Sequence, residues 1–150
     1  MPDYRQHQRH PQSQQQTQQQ SPVAELKEKI RRYQKLKDIP AEELISIAEK
    51  MGKYLKENDL KTTQIRKFLD GVRKIDIQFN RGKDFNKDNV ILLKPKLAYA
   101  AGRQQSVKPL MDILEPAISA GAESYESFKK LVALIEGIVA YHKFYGGKDS

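Results

Sequence analysis

Two clusters of basic residues are the groups in this chain best suited to binding chemistry. Arg66, Lys67, Arg73 and Lys74 flank the large apolar residues of TTQIRKFLDGVRKI (residues 62–75). Lys94, Lys96, Arg103 and Lys108 occupy residues 89–111, a stretch with no carboxylate. Lysine and arginine on a rigid element hold phosphates by charge and hydrogen bonding without reading sequence. Each cluster also has a plainer reading. The first is equally a solvated helix face, and the second can be neutralised by acids from elsewhere in the fold.

Catalytic chemistry finds little support. The chain has three histidines, of which His7 and His10 lie in a polar N-terminal stretch with no scaffold to fix a geometry. His142, on the apolar side of the last helical segment, reads first as a packed histidine with a satisfied hydrogen bond. A hydrolase built on His142 with Glu136 or Asp112 lacks an orienting third residue. No phosphate-cradling glycine loop, nucleophile elbow or HExxH motif occurs. Cysteine is absent, which excludes thiolate zinc sites, disulfides and cysteine nucleophiles. No catalytic residue, metal site or cofactor is therefore expected, and the acidic pairs Glu42/Glu43 and Asp84/Asp88 read as capping and solvation.

The elements that position the clusters follow from periodicity. The first 22 of the 150 residues carry nine glutamines and almost no large apolar side chain, so a disordered tail is expected over 1–22 and one domain over 23–150. Residues 23–36 place Leu26, Ile30 and Tyr33 on one face of a basic helix, stopped by residues 38–40. Residues 40–58 predict a helix of roughly 17 residues, with Pro40 in its first turn and a stripe through Leu44, Ile47, Ala48, Met51, Tyr54 and Leu55. Thr62 or Thr63 is the expected N-cap of the next helix, whose buried face is Ile65, Phe68, Leu69, Val72, Ile75 and Phe79.

Residues 79–89 read as a loop. Residues 90–103 are ambiguous: Val90 to Leu93 have strand composition, but the continuation is helical. A helix that begins or kinks at Pro95 and ends near Gly102 is the favoured reading. A short helix through Leu110 to Ile118, with Pro116 as a possible interruption, precedes the longest apolar run, residues 124–147. Its stripe is wide enough to bury most of the helix, and Gly146 and Gly147 end it. Five or six helices with no convincing strand predict an all-α compact bundle. A formal charge of +8, from 27 basic and 19 acidic residues, suits a phosphate-bearing partner. Nothing resembles a membrane span or signal peptide, and a soluble, cytoplasmic protein is expected.

Three segments, LKTTQIRKFL (60–69), KPKLAYAAGR (94–103) and GIVAYHKFYGG (137–147), occur in an order and spacing that resembles the small subunit of the type III-A CRISPR effector, the Csm complex. The resemblance covers most of residues 23–147 and omits the glutamine-rich tail. It implies a helical, non-catalytic subunit in antiviral defence, several copies of which form an inner filament beside the backbone subunits. Together they enclose CRISPR RNA paired with target RNA. Cleavage of RNA is assigned to the backbone subunits, and DNA cleavage and cyclic oligoadenylate synthesis to the large subunit. Under it, Lys61, Gln64, Arg66 and Lys67 in the first segment, Arg73 just beyond it, and Lys94, Lys96 and Arg103 in the second are the RNA-binding positions, while residues 137–147 pack or contact another subunit. Holding a duplex of any sequence needs only phosphate and 2′-hydroxyl contacts, since base pairing supplies recognition. Tyr99 is the one candidate for stacking against a base, although a core position is its commoner role. The competing reading is a helical adaptor that binds only protein.

Overall fold

The computed structural model describes residues 22–80 and 84–149. These residues form seven α-helical segments: α1 (Pro22–Arg31), α2 (Ala41–Glu57), α3 (Thr62–Asn80), α4 (Lys87–Ile91), α5 (Leu93–Arg103), α6 (Lys108–Gly121) and α7 (Tyr125–Phe144). Single 3-10 turns, Leu36–Asp38 and Gln105–Val107, join α1 to α2 and α5 to α6. Since α4 and α5 meet at Leu92, which is itself in the right-handed helical region, they act as one bent rod. No strand occurs among the described residues, and the architecture is an all-α bundle. The expected tail falls outside the described residues except for Pro22, which opens α1.

The last helix is the axis. Packed by α2, α3, α6 and the first 3-10 turn, α7 buries Phe128, Leu131, Leu134, Ile135 and Ile138 completely. Seven residues of its length, among them Glu126, Lys129, Glu136 and Lys143, stay exposed, so the wide apolar stripe does translate into burial on most sides. The α2–α7 contact is close because it is built from small residues: a Cβ added at Gly137 would come 2.8 Å from Ala48 Cβ, and one at Gly52 would come 2.7 Å from the His142 backbone nitrogen. Helix α6 carries α1 and α5 on its other sides.

Four local expectations need correction. First, α1 ends at Arg31 rather than running on toward Leu36. Tyr33 turns back through a hydrogen bond to the Ile30 carbonyl, which sends Leu36 and Ile39 into the core at 0% and 1% exposure.

Second, Pro40 is the N-cap of α2, one place before its first turn. Third, the hydroxyls of Thr62 and Thr63 are committed elsewhere, and the C-terminal segment reaches the start of α3 instead. The Thr62 amide donates to the Lys148 carbonyl at 2.8 Å, and the Thr63 hydroxyl donates to the Asp149 carbonyl at 2.9 Å.

Fourth, residues 90–93 are helical, with Val90, Leu93 and Leu97 buried at helical spacing. The bend comes at Leu92 because Pro95 has no N–H for the Ile91 carbonyl and its ring crowds that oxygen. The helical segments also narrow the expected loop, since Phe79 and Asn80 end α3 and Lys87 opens α4. Pro116 lies inside α6 without ending it. At the far end Gly146, with φ +97°, closes α7: its amide bonds to Lys143 and that of Gly147 to His142, the paired arrangement that satisfies a helix's last carbonyls.

Candidate nucleic-acid interface

Helices α3 and α5 carry the two basic clusters, and helical geometry divides each cluster between two flanks. At about 100° per residue, Gln64 and Gly71 lie on one flank of α3, with Lys67 within about 60° of Gln64, while Arg66 and Arg73 lie about 160° or more from Gln64. On α5, Lys96, Tyr99 and Arg103 share one side, and Lys94 points roughly the opposite way. The bundle sets the Gln64 flank of α3 beside the Lys96 side of α5.

The result is a groove of about 510 Å³ between the two helices. Phe68, Leu93, Leu97, Ala100, Val107 and Leu110 make its apolar lining. Gln64, Lys67, Lys96, Tyr99, Arg103 and Gln104 supply its polar and aromatic groups, with no carboxylate among the lining residues. The exposed side chains of Lys67 and Lys96 make no ion pair or hydrogen bond among the described residues. Tyr99 is 68% exposed, which removes the core role expected of it. The Arg103 guanidinium sits 5.8 Å from the Tyr99 ring centroid, within cation–π range.

The other four predicted positions lie elsewhere. Arg73 is 3.9 Å from Glu136 on α7, in an exposed pair that reduces its value as a free cation. Arg66 is exposed on that same flank of α3. Lys94 donates to Ser119 at 2.6 Å on the opposite side of α5, where it lines a second groove of about 480 Å³ with Lys27, Arg31 and Glu115. Lys61 belongs to a surface hollow beside Lys56, Glu57, Asp59 and Lys148.

Acids do neutralise part of the carboxylate-free stretch. Lys108 lies 3.8 Å from Asp112, so Lys96 and Arg103 remain as its groove-facing cations. Lys27 and Arg31, four apart on α1, were not among the expected site residues. Their basic i,i+4 spacing was visible, but the groove they share with Lys94 arises only from tertiary packing.

His142 is fully buried. The Leu60 carbonyl, 2.6 Å from Nε2, can only accept, so Nε2 carries the proton, and Nδ1 accepts from the Thr62 hydroxyl at 3.1 Å. Burial holds the His142 pKa below the usual histidine value, with the Leu60 hydrogen bond opposing it. Both nitrogens are thus engaged within the fold, and Gly147 sits against the ring with no room for a Cβ. Among the described residues no cluster of His, Asp or Glu is arranged to hold a metal ion, and no helix is long and apolar enough to cross a membrane.

Fold and site define a small all-α domain with an electropositive groove between two helices. The Csm2 Type III-A family model matches residues 38–148. The chain is also 36% identical over 118 residues to the CRISPR system Cms protein Csm2 of Streptococcus thermophilus, covering 73% of this chain and 90% of that protein. The chain belongs to the Csm2 type III-A family, the structural small subunit of the type III-A Csm complex.

Proposed function

We propose that the chain is a non-catalytic clamp, which stacks with further copies of itself as the inner filament of the complex and holds guide RNA paired with target RNA. Its contacts are to the backbone and large subunits, which carry the chemistry, and the setting is antiviral defence in the cytoplasm. The observation that carries this reading is the α3–α5 groove, where Lys67 from one helix and Lys96 and Arg103 from the other face the same space with no acid lining it. Cations fixed on two rigid helices suit a phosphate backbone, because contacts to phosphate and ribose tolerate any base sequence. Gln64 adds a neutral group able to donate to and accept from a 2′-hydroxyl.

The test is reconstitution of the complex from purified subunits and guide RNA, with the small subunit as wild type or as the triple variant Lys67→Glu, Lys96→Glu, Arg103→Glu. The variant is expected to enter the complex and to release target RNA at lower salt. Unchanged incorporation together with unchanged RNA retention would replace the clamp with the protein-only adaptor.

A further inference from the structure

Phosphate binding accounts for the cations of the α3–α5 groove, yet it leaves its apolar lining and Tyr99 without a role. We infer that the groove is a binding site for an unpaired nucleobase of the held RNA, with Tyr99 as the stacking platform and the flanking phosphates on Lys67, Lys96 and Arg103. The inference rests on the RNA-holding reading and names what that surface recognises beyond phosphate.

Three observations converge. Tyr99 is 68% exposed, where a tyrosine placed only for packing would be covered. It sits between Lys96 and Arg103 on one side of α5, so a base against its ring has a cation available one turn away in each direction. Arg103 lies over the ring at 5.8 Å, a cation–π contact that keeps a phosphate-binding cation beside the stacking group.

The groove also suits the occupant in shape. About 510 Å³ falls within the range of small-molecule sites, and Leu97, Ala100 and Val107 offer it an apolar wall. A fully paired duplex keeps its bases inside the stack and would leave this wall empty, whereas an unpaired base presents a flat face to it. Such a site is indifferent to base identity, since every base has a π-face, and it would favour RNA with unpaired positions over a perfect duplex.

The experiment uses the full-length protein and three fluorescent RNAs: a fully paired guide:target duplex, the same duplex with unpaired nucleotides on one strand, and the single strand. A 2-aminopurine at an unpaired position reports stacking by quenching. Tyr99→Ala is expected to weaken binding of the two unpaired RNAs roughly 5- to 150-fold and to abolish the quenching, with the paired duplex unchanged. Tyr99→Phe, which keeps the ring, is expected to behave as wild type, and circular dichroism of both variants confirms the fold. If Tyr99→Ala leaves the unpaired RNAs unaffected while Lys67→Glu/Lys96→Glu weakens all three, the stacking site is wrong and the RNA face stands. Equal losses on paired and unpaired RNA with Tyr99→Ala also overturn stacking. No response to any variant, or no binding by the wild type, removes both.

Discussion

Helix α3 treats its polar groups in opposite ways within its first two turns. At its start, Thr62 is fully buried, its hydroxyl on His142 Nδ1 and its amide on the Lys148 carbonyl, and every buried side-chain polar atom among the described residues has a partner. Shortly after, Gln64 and Lys67 face an open groove in which Lys67 has no partner among the described residues. The contrast separates two uses of polarity. The first region is a joint, fastening the chain's C-terminal segment to the start of α3 through bonds closed inside the fold. The second is a surface whose hydrogen-bonding and charge capacity the fold itself leaves open.

Removing the joint should have the largest effect on stability. His142→Ala is expected to cost about 2–4 kcal/mol, from the cavity and from stranding the Leu60 carbonyl. Urea unfolding measures it, and a loss below about 0.5 kcal/mol would mean that the joint is not structural. The groove should behave in the opposite manner. Reversing charge at Lys67, Lys96 and Arg103 is expected to change stability by no more than about 0.5 kcal/mol per site.

Acid sharpens the comparison because only the joint contains a buried titrating group. His142 has a folded pKa below its ordinary value of 6.5, so as pH falls below 6.5 the unfolded chain takes up a proton that the folded one refuses. Its contribution is therefore whole above 6.5 and is lost as pH falls from there through the folded pKa. Unfolding followed between pH 7.5 and 5 should show stability rising with pH in that window, a slope contributed by His142 and absent in His142→Ala. The groove reversals should leave that slope in place. An unchanged slope in His142→Ala would place the titration elsewhere.

A small effect is also expected at Arg73 and Glu136, on the far flank of α3. Their exposed separation of 3.9 Å predicts a coupling of about 0.2–1 kcal/mol in a double-mutant cycle. A coupling well above this range would show the flank to be part of the fold's framework.

How much of this was legible in the sequence differs between the two regions. The long helices were plain: α2 and α7 follow from unbroken stripes, and Gly146 marks the end of α7. That His142 is packed was also readable, since it is a lone histidine on an apolar face. Its partners were not, because Thr62 lies 80 residues away and Leu60 82.

The site was half legible. Periodicity places Arg66 and Lys67 on α3 but does not say which flank will meet which neighbour. Helical spacing alone sets Lys94 opposite Lys96, but only packing sends Lys67 to α5, Arg73 to Glu136, and Lys94 and Lys96 to different grooves. The exposure of Tyr99 was hidden for the same reason. A tyrosine among alanines reads as core unless one knows that α5 is covered by α6 and only loosely by α3.

The central claim, that charge on the groove rather than charge on the helix as a whole meets RNA, is tested most directly by one salt series. Full-length protein is titrated onto a fluorescent guide:target duplex, comparing wild type, the triple groove variant, and Arg66→Glu/Arg73→Glu on the opposite flank of α3. The groove variant is expected to lower the steepness of the log affinity versus log salt line by roughly one for each phosphate it no longer holds, and the flank variant to leave it near wild type. A flank variant that flattens the line while the groove variant keeps it steep would move the RNA to the other side of α3.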